Sequence, residues 1–160
     1  MIQYFKQSEN RTVQTELPES GSWINILPPL KQEEFSTLSE QLEIPLDFLT
    51  DSLDIDERTR FEEEENVRLI VIKAPTENKS FNDSDAYYIT IPICIILTED
   101  HIVTVNSFEN SAIKKFLASF QNRRFGQKNM MVLKVFEKIV QNFMEYLKEI
   151  NQRRNVLEQK

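Results

Sequence analysis

The chain has 160 residues, of which 40% are hydrophobic and 28% charged, a composition typical of one folded domain with a hydrophobic core. Its net charge of −7 at pH 7 repels phosphate backbones and anionic membrane surfaces, so nucleic acid is not an expected partner. Only two glycines and one cysteine occur, which excludes glycine-rich phosphate-binding loops, internal disulfides and structural zinc sites.

The first third of the chain predicts three short strands and two helices. The predicted strands cover residues 2–5, 11–15 and 23–27. One helix is expected from Leu30 to Gln41, and a shorter one starts at Pro45 because proline suits the first turn of a helix. The expected buried side of the second helix consists of Phe48, Leu49 and Leu53.

The middle of the chain predicts a β-rich segment. Its strands are expected at residues 67–74, 86–97 and 101–105. Pro75 is predicted to end the first of them, and the polar loop Thr76 to Asp85 follows. The short turn at residues 98–100 joins the other two strands as an antiparallel hairpin. A helix comes next, with apolar positions at Ile113, Phe116, Leu117 and Phe120.

Residues 127–160 predict one long amphipathic helix after a domain that spans residues 1–126. Its apolar stripe repeats at spacings of three and four residues and consists of Leu133, Phe136, Val140, Phe143, Leu147 and Ile150. Further apolar positions widen the stripe, namely Val132, Ile139 and Tyr146. A stripe of that width needs partners on two sides. Since the pattern is still in register at Leu157, we expect the sequence to be part of a longer protein.

Cys94 and His101 are the candidates for nucleophilic catalysis. Both fall in predicted strands of one hairpin, whereas a catalytic pair needs an exposed reactive atom in a cleft and a third group that orients the base. The favoured interpretation is a buried cysteine and a hairpin-turn histidine. No catalytic residues and no enzyme activity are therefore predicted.

Carboxylates offer candidate sites for a hard metal ion. Glu62 to Glu65 would point alternately to the two faces of a strand, and nearby arginines favour a salt-bridged surface there. Asp83 and Asp85, with Glu77 in the same loop, fit Mg²⁺ better, because this ion keeps several waters and needs only one or two carboxylates. An ordinary polar loop is the alternative. The next candidate is the cluster of Asp54, Asp56 and Glu57.

Three stretches resemble the N-terminal domain of the CorA metal-ion transporters. They are the acidic-basic run Leu53 to Glu63, the strand Val67 to Lys73 and the hairpin Ile95 to Val105. The long helix from Val132 to Leu157 is similar to the helix that follows the sheet domain in that family. The resemblance extends over nearly the whole chain as a pattern of runs and spacings, without a catalytic motif.

The resemblance implies an α/β/α sandwich, in which a mixed, largely antiparallel sheet has helices on both faces and a long C-terminal amphipathic helix follows. In the family, five chains surround a pore, and a Gly-Met-Asn signature at its mouth selects hydrated Mg²⁺. Mg²⁺ bound between neighbouring cytoplasmic domains holds the channel closed. One carboxylate of that regulatory site lies in the loop matched here by Thr76 to Asp85, which implies that Asp83 and Asp85 form part of the site.

The sequence departs from the family because it has no Gly-Met-Asn signature, no membrane span and no stalk helix. We therefore expect the Mg²⁺-sensing regulatory domain of a CorA-like transporter, placed at the cytoplasmic face of the cell membrane and binding Mg²⁺ weakly. It would be part of a homo-oligomer, a pentamer in the full-length protein, and would meet the membrane only through spans outside this sequence.

The alternatives are a free-standing interaction domain that binds a partner through its long helix, a zinc or cobalt transporter domain of the same fold, and a small enzyme. Two apolar spans of about 20 residues further along the gene would favour a transporter over an interaction domain. An enzyme would need a convergent pocket with perturbed side chains, and the sequence nominates none.

Overall fold

The structure is a computed structural model that describes residues 1–27, 29–78, 86–120 and 126–158. These residues form a seven-stranded sheet with helices on both faces. The strands are β1 (Ile2–Gln7), β2 (Thr12–Thr15), β3 (Trp23–Ile26), β4 (Arg60–Glu64), β5 (Val67–Glu77), β6 (Tyr88–Leu97) and β7 (Ile102–Asn106). The helices are α1 (Gln32–Leu42), α2 (Leu46–Thr50), α3 (Ser111–Phe120) and α4 (Lys128–Glu158). A 3₁₀ turn, Asp51–Leu53, follows α2.

The sheet has the strand order β2-β1-β3-β7-β6-β5-β4. Among these strands β3 and β7 run parallel, and the other five neighbouring pairs are antiparallel. The expected hairpin is confirmed, since β6 pairs antiparallel with β7 over Ile93 to Leu97. The sheet is therefore mixed and largely antiparallel, as predicted.

Each face of the sheet has its own hydrophobic core, because successive side chains of a strand point to opposite faces. Trp23 of β3 lies in the core beneath α3 and α4, whereas Ile24 and Ile26 lie in the core beneath α1 and α2. The helices complete the first core with Ala112, Ile113, Phe116, Phe120, Met131, Val132, Val135 and Ile139. They complete the second with Phe35, Leu38, Leu42, Phe48 and Leu49. This arrangement confirms the predicted α/β/α sandwich.

Buried polar side chains stabilise the parallel pair of strands. The Trp23 Nε1–H donates to Thr104 Oγ1 at 3.0 Å, and the Thr104 hydroxyl donates to Asn25 Oδ1 at 2.9 Å. All three residues are at most 4% exposed. Each such bond contributes about 1 kcal/mol net, and a partner left alone in the core would cost more.

Two details differ from the expectations. β5 continues through Pro75 to Glu77. β4 pairs only with Val67–Val71, so among the described strands β6 alone is paired with β5 at Pro75. Proline is tolerated where one side of a strand is free of ladder hydrogen bonds. Leu53, predicted to be buried, is 41% exposed because α2 ends at Thr50 and the 3₁₀ turn takes the chain away from the core.

Candidate functional site

Of the three predicted metal ligands, Glu77 belongs to the described residues and the other two do not. Asp83 and Asp85 lie outside the described residues. Glu77 ends β5, and its side chain is exposed to solvent. Within the part of the chain that the structure describes, no three histidine, cysteine, aspartate or glutamate side chains come together as a metal site. Metal binding by the loop therefore stays a prediction.

Hydrogen bonds join the residues on either side of the loop that contains the predicted ligands, and we call this joined pair of ends the base of the loop. The backbone N–H of Asn78 donates to the carbonyl oxygen of Tyr87 at 2.8 Å. The side-chain amide of Asn78 donates to the carbonyl oxygen of Ala86 at 3.1 Å. Because the flanking strands β5 and β6 are paired from Glu77 and Tyr88 onward, both ends of the loop are fixed by the sheet.

A cleft of about 370 Å³ lies next to this base. Apolar side chains of Ile55, Ile89 and Phe108 line it, together with the acidic residues Glu77 and Glu109. Glu109 also forms an ion pair with Lys114 of α3. Glu109 was not among the predicted site residues, because the end of β7 and the start of α3 bring it into the cleft of Glu77 from a distant part of the chain.

The glutamate run in β4 lies beside an ion-pair network around Arg60. The Arg60 guanidinium contacts the carboxylates of Asp51 and Glu57, and its Nε–H donates to Glu62 at 3.0 Å. Burial raises the pKa of the Asp51 carboxyl, and the hydrogen bond from Arg60 opposes that rise. The hydrogen bond to Glu62 raises the pKa of Arg60, so its positive charge is permanent. The salt-bridged interpretation of this acidic run is confirmed for Glu62.

The reserve metal candidate, the cluster at residues 54–57, is occupied by local hydrogen bonds. Asp54 Oδ1 accepts a hydrogen bond from the Asp56 backbone N–H at 2.9 Å, which closes a turn. Glu57 Oε1 accepts one from the Arg58 backbone N–H at 2.9 Å and also contacts Arg60. These carboxylates therefore have partners of their own.

The two candidate residues for nucleophilic catalysis lie in environments typical of residues with a structural role. Cys94 is fully buried and pairs with Val105 in the hairpin, and burial raises the pKa of its thiol to about 12. A thiol with that pKa stays protonated at neutral pH and is a poor nucleophile. His101 lies at the turn before β7, where burial lowers the pKa of its imidazole and Asp100 opposes that change.

The long helix α4 has two apolar faces. The inner one belongs to the core, whereas the other carries six side chains that are each at least 36% exposed: Leu133, Val140, Phe143, Met144, Leu147 and Ile150. We name this set the outer stripe. Exposed apolar surface of this extent is typical of a contact with another protein surface. No helix among the described residues, α4 included, has the length and apolar composition needed to cross a membrane.

A cluster of aromatic and charged side chains connects the start of β6, just after the polar loop, to α4. It consists of Tyr87, Tyr88, Tyr146, Glu149 and Arg153, and we name it the tyrosine–arginine cluster. The guanidinium carbon of Arg153 lies 4.1 Å from the centroid of the Tyr87 ring, and Arg153 donates to Glu149 Oε1 at 2.7 Å. The rings of Tyr88 and Tyr146 are 4.7 Å apart. Burial, followed by the nearby negative charge of Glu149, raises the pKa of Tyr88 to about 12.

This cluster was not predicted, because none of its members stands out in the local sequence. Glu149 and Arg153 are four residues apart on a helix, a spacing that usually indicates a solvent-exposed ion pair. Tyr87 and Tyr88 are typical strand residues, and nothing local distinguishes them from other aromatic strand positions. They come together because α4 passes the start of β6, where the Tyr88 ring packs on Tyr146.

Two comparisons by sequence give different results. The family model described as CorA-like Mg²⁺ transporter protein matches residues 19–160. A comparison with curated proteins finds no match. The family match covers β3 to β7 and all four helices.

Solved structures share the fold. The CorA magnesium transporter from Methanocaldococcus jannaschii superposes with a TM-score of 0.79 at 21% identity, covering 99% of this chain and 50% of that one. The soluble domain of CorA from the same organism superposes with a TM-score of 0.79 at 22% identity. The match covers 99% of this chain and 63% of that domain. The ZntB cytoplasmic domain from Vibrio parahaemolyticus RIMD 2210633 superposes with a TM-score of 0.68 at 13% identity. The match covers 96% of this chain and 63% of that domain. The chain thus spans half to less than two thirds of the length of these proteins.

Proposed function

The chain belongs to the family of CorA-like Mg²⁺ transporter proteins, and on this premise we propose that it forms the cytoplasmic regulatory domain of a divalent-cation transporter. The domain senses Mg²⁺ and influences a pore formed by sequence outside these 160 residues. The observation that carries the proposal is the family match over residues 19–160, which includes the central strands and α4.

The proposed sensing site consists of Asp83 and Asp85 with Glu77 in the same loop. The exposed carboxylate of Glu77 at the start of the loop supports it, because exposed negative charge attracts a divalent ion. Between neighbouring subunits, acidic surfaces repel each other, and a bridging ion turns that repulsion into attraction. A few kcal/mol per assembly suffices for gating by such a change.

The proposed assembly is a homo-oligomer, a pentamer for the full-length protein. Its supporting feature is the outer stripe of α4, whose exposed side chains include Val140, Met144 and Leu147. In the assembly, other helices of the same protein cover this stripe. The free-standing interaction domain is the alternative use of the same surface, with a helix of a different protein in that place.

A titration of the chain with Mg²⁺ tests the proposed site. Amide-resolved NMR or calorimetry should show binding in the millimolar range or weaker, because exposed carboxylates gain little over bulk water. The Asp83→Ala, Asp85→Ala double variant should lose the binding. The matched control is Asp54→Ala, Asp56→Ala, which removes the same number of carboxylates from the reserve cluster and should bind as the wild type does.

Two results would contradict this assignment, namely micromolar binding and binding that persists in the Asp83→Ala, Asp85→Ala variant. The same titration repeated with Zn²⁺ and Co²⁺ addresses the alternative ions. A Mg²⁺ sensor should show the same amides responding to all three ions, with no large preference for Zn²⁺ or Co²⁺. Loop amides that respond only to Zn²⁺ or Co²⁺ would favour the transporter of those ions.

A further inference from the structure

The exposed face of α4 repeats with the seven-residue period of a coiled coil. From Leu133 to Leu157, the first and fourth positions of each heptad form a seam, and seven of its eight side chains are apolar. Arg154 is the exception. Five members of the outer stripe belong to this seam, and the sixth, Met144, flanks it. A helix with such a seam packs against another helix that carries a matching one.

The contacts that hold the second half of α4 to its own domain lie on other faces of the helix. Glu145 forms an ion pair with Lys115 of α3. The tyrosine–arginine cluster makes the other contact, through Tyr146 and Arg153 of α4. None of these three α4 residues is a seam position. The seam therefore stays accessible while the helix is held in place, and a helix that is already ordered loses little conformational entropy on binding.

The arginine in the seam indicates how two such helices align. In a parallel pair equal positions face each other, so Arg154 would face Arg154 of the second copy and the two charges would repel. In an antiparallel pair whose seam positions all have partners, Arg154 faces Phe136 of the second copy and lies beside its Glu137. The present partners of Arg154 and Glu137 are Glu158 and Gln141, which are exposed on the same helix, so exchanging them costs little.

We propose that two copies of the chain pair through their seams, with the two α4 helices antiparallel and a two-fold axis near Glu145. This alignment places Leu147 opposite Phe143 and Val140 opposite Ile150, so apolar side chains of both copies fill the contact. The pair needs neither the ion nor the pore, so the inference goes beyond the proposed function. It also competes with the five-fold assembly, because both would cover the outer stripe.

Distances between nitroxide labels test the alignment. Lys148 and Asn155 are exposed and occupy the same heptad position outside the seam, whereas Cys94 is fully buried and stays unlabelled. Electron paramagnetic resonance of the labelled Lys148→Cys and Asn155→Cys variants measures the separation of the two copies at each position. In the antiparallel pair, the labels at 148 should lie about 9 Å apart along the helix axes and those at 155 about 30 Å apart, at about 1.5 Å per residue. A parallel pair would give equal distances.

Charge reversal tests the contact between Arg154 and Glu137. Arg154→Glu should weaken pairing roughly tenfold, because by symmetry two attractive contacts become repulsive. Glu137→Arg should weaken it to a similar extent, and the double variant should recover, because the attraction returns with the signs exchanged. The matched control is Lys148→Glu, which changes the net charge equally away from the seam and should pair within about twofold of the wild type. Analytical ultracentrifugation from about 10 µM to about 1 mM measures the dissociation constants.

The expected result is a dimer with a longer label distance at residue 155 than at residue 148 and with pairing restored in the double variant. A chain that stays monomeric at every concentration would overturn the proposal, as would equal label distances or a double variant that pairs no better than the single ones. Five-fold association would overturn the two-fold pair and support the proposed assembly. Absent Mg²⁺ binding would contradict the sensing site alone, because the pairing needs no ion.

Discussion

The two halves of α4 contact the rest of the chain in different ways. In the inner half, residues 128–142, Met131, Val135 and Ile139 are at most 1% exposed and belong to the core beneath α3 and α4. In the outer half, residues 143–158, the apolar side chains face solvent, and the tyrosine–arginine cluster and an ion pair between Glu145 and Lys115 of α3 make the contacts. The backbone of the helix is continuous, but its packing changes near Asn142.

The inner half of α4 therefore contributes more to the free energy of unfolding than the outer half does. Burying an aliphatic side chain contributes about 1.5 to 3 kcal/mol, whereas an exposed cation–π contact contributes about 0.5 to 1 kcal/mol. The inner half therefore opens only with the whole domain, and the outer half can detach at a small fraction of that free energy.

The largest expected effect comes from truncating one apolar side chain in each half. Ile139→Ala should lower the free energy of unfolding by about 2 to 5 kcal/mol, because it leaves a cavity in a well-packed core. Leu147→Ala, at a position 52% exposed, should change it by no more than about 0.5 kcal/mol. Urea unfolding of both variants measures the difference. Equal losses would mean that the outer stripe is buried in solution.

The next effect concerns the point where the packing changes. Asn142 is 1% exposed; its Nδ2–H donates to the Pro75 carbonyl at 3.2 Å, and its Oδ1 accepts from the Ser111 hydroxyl at 2.8 Å. Asn142→Ala should cost about 1 to 3 kcal/mol in urea unfolding, since buried polar partners lose their bonds. The exposed position Asn151 provides the control, and Asn151→Ala should be nearly neutral. A neutral Asn142→Ala would show that water replaces the amide.

A smaller effect on stability, but a large one on association, is expected in the outer stripe. Leu147→Glu should leave the free energy of unfolding within about 0.5 kcal/mol of the wild type, because the side chain is exposed. It should weaken self-association about tenfold or more, since a carboxylate is costly to bury in an apolar contact. Light scattering at several concentrations measures this. Gln152→Glu is the control, and a wild type that is monomeric at every concentration would contradict the prediction.

The smallest effect concerns the start of the inner half. Lys128 Nζ donates to the carbonyl oxygens of Thr98 and Glu99, which anchors α4 on the turn beside His101. Burial lowers the pKa of His101, and Lys128 adds to that change. The unfolded chain therefore takes up its proton at a higher pH than the folded chain does, so stability should decline as the pH falls below about 6.5.

The His101→Gln variant isolates this effect, because the sequence contains no other histidine. The difference in unfolding free energy between wild type and variant should be constant above about pH 7.5 and should shrink or change sign toward pH 5.5. Urea unfolding at a series of pH values measures it. A difference that does not depend on pH would show that the imidazole stays as accessible to protons as in the unfolded chain.

The sandwich was predictable because local patterns and the global fold agree. The alternation in β1, the β-branched runs of β5 and β6 and the short turn before β7 each have a single good interpretation. The family resemblance also implied the mixed, largely antiparallel sheet with helices on both faces. Two predictions were wrong, namely that Pro75 ends its strand and that Leu53 is buried. Both depend on where β4 and α2 end, and the local sequence does not determine those ends.

The functional surfaces were harder to predict from sequence. The apolar spacing on α4 shows that two faces exist, but it does not say which of Leu133 and Val135 is covered, and the structure buries Val135. The tyrosine–arginine cluster joins residues about sixty positions apart, and they come together because α4 passes the start of β6. Long-range meetings of this kind leave no periodic signal in the chain.

The parallel pairing of β3 with β7 has a consequence for how the chain reaches its native state. This pair joins the three N-terminal strands to the rest of the described sheet, and the paired residues Asn25 and Thr104 are 79 positions apart. Closing so large a loop is entropically costly, so this junction should form late and set the folding rate. During synthesis, the first strands must wait until β7 has left the ribosome. The single tryptophan, Trp23, lies at this junction, so its fluorescence reports the moment when the two parts of the sheet join.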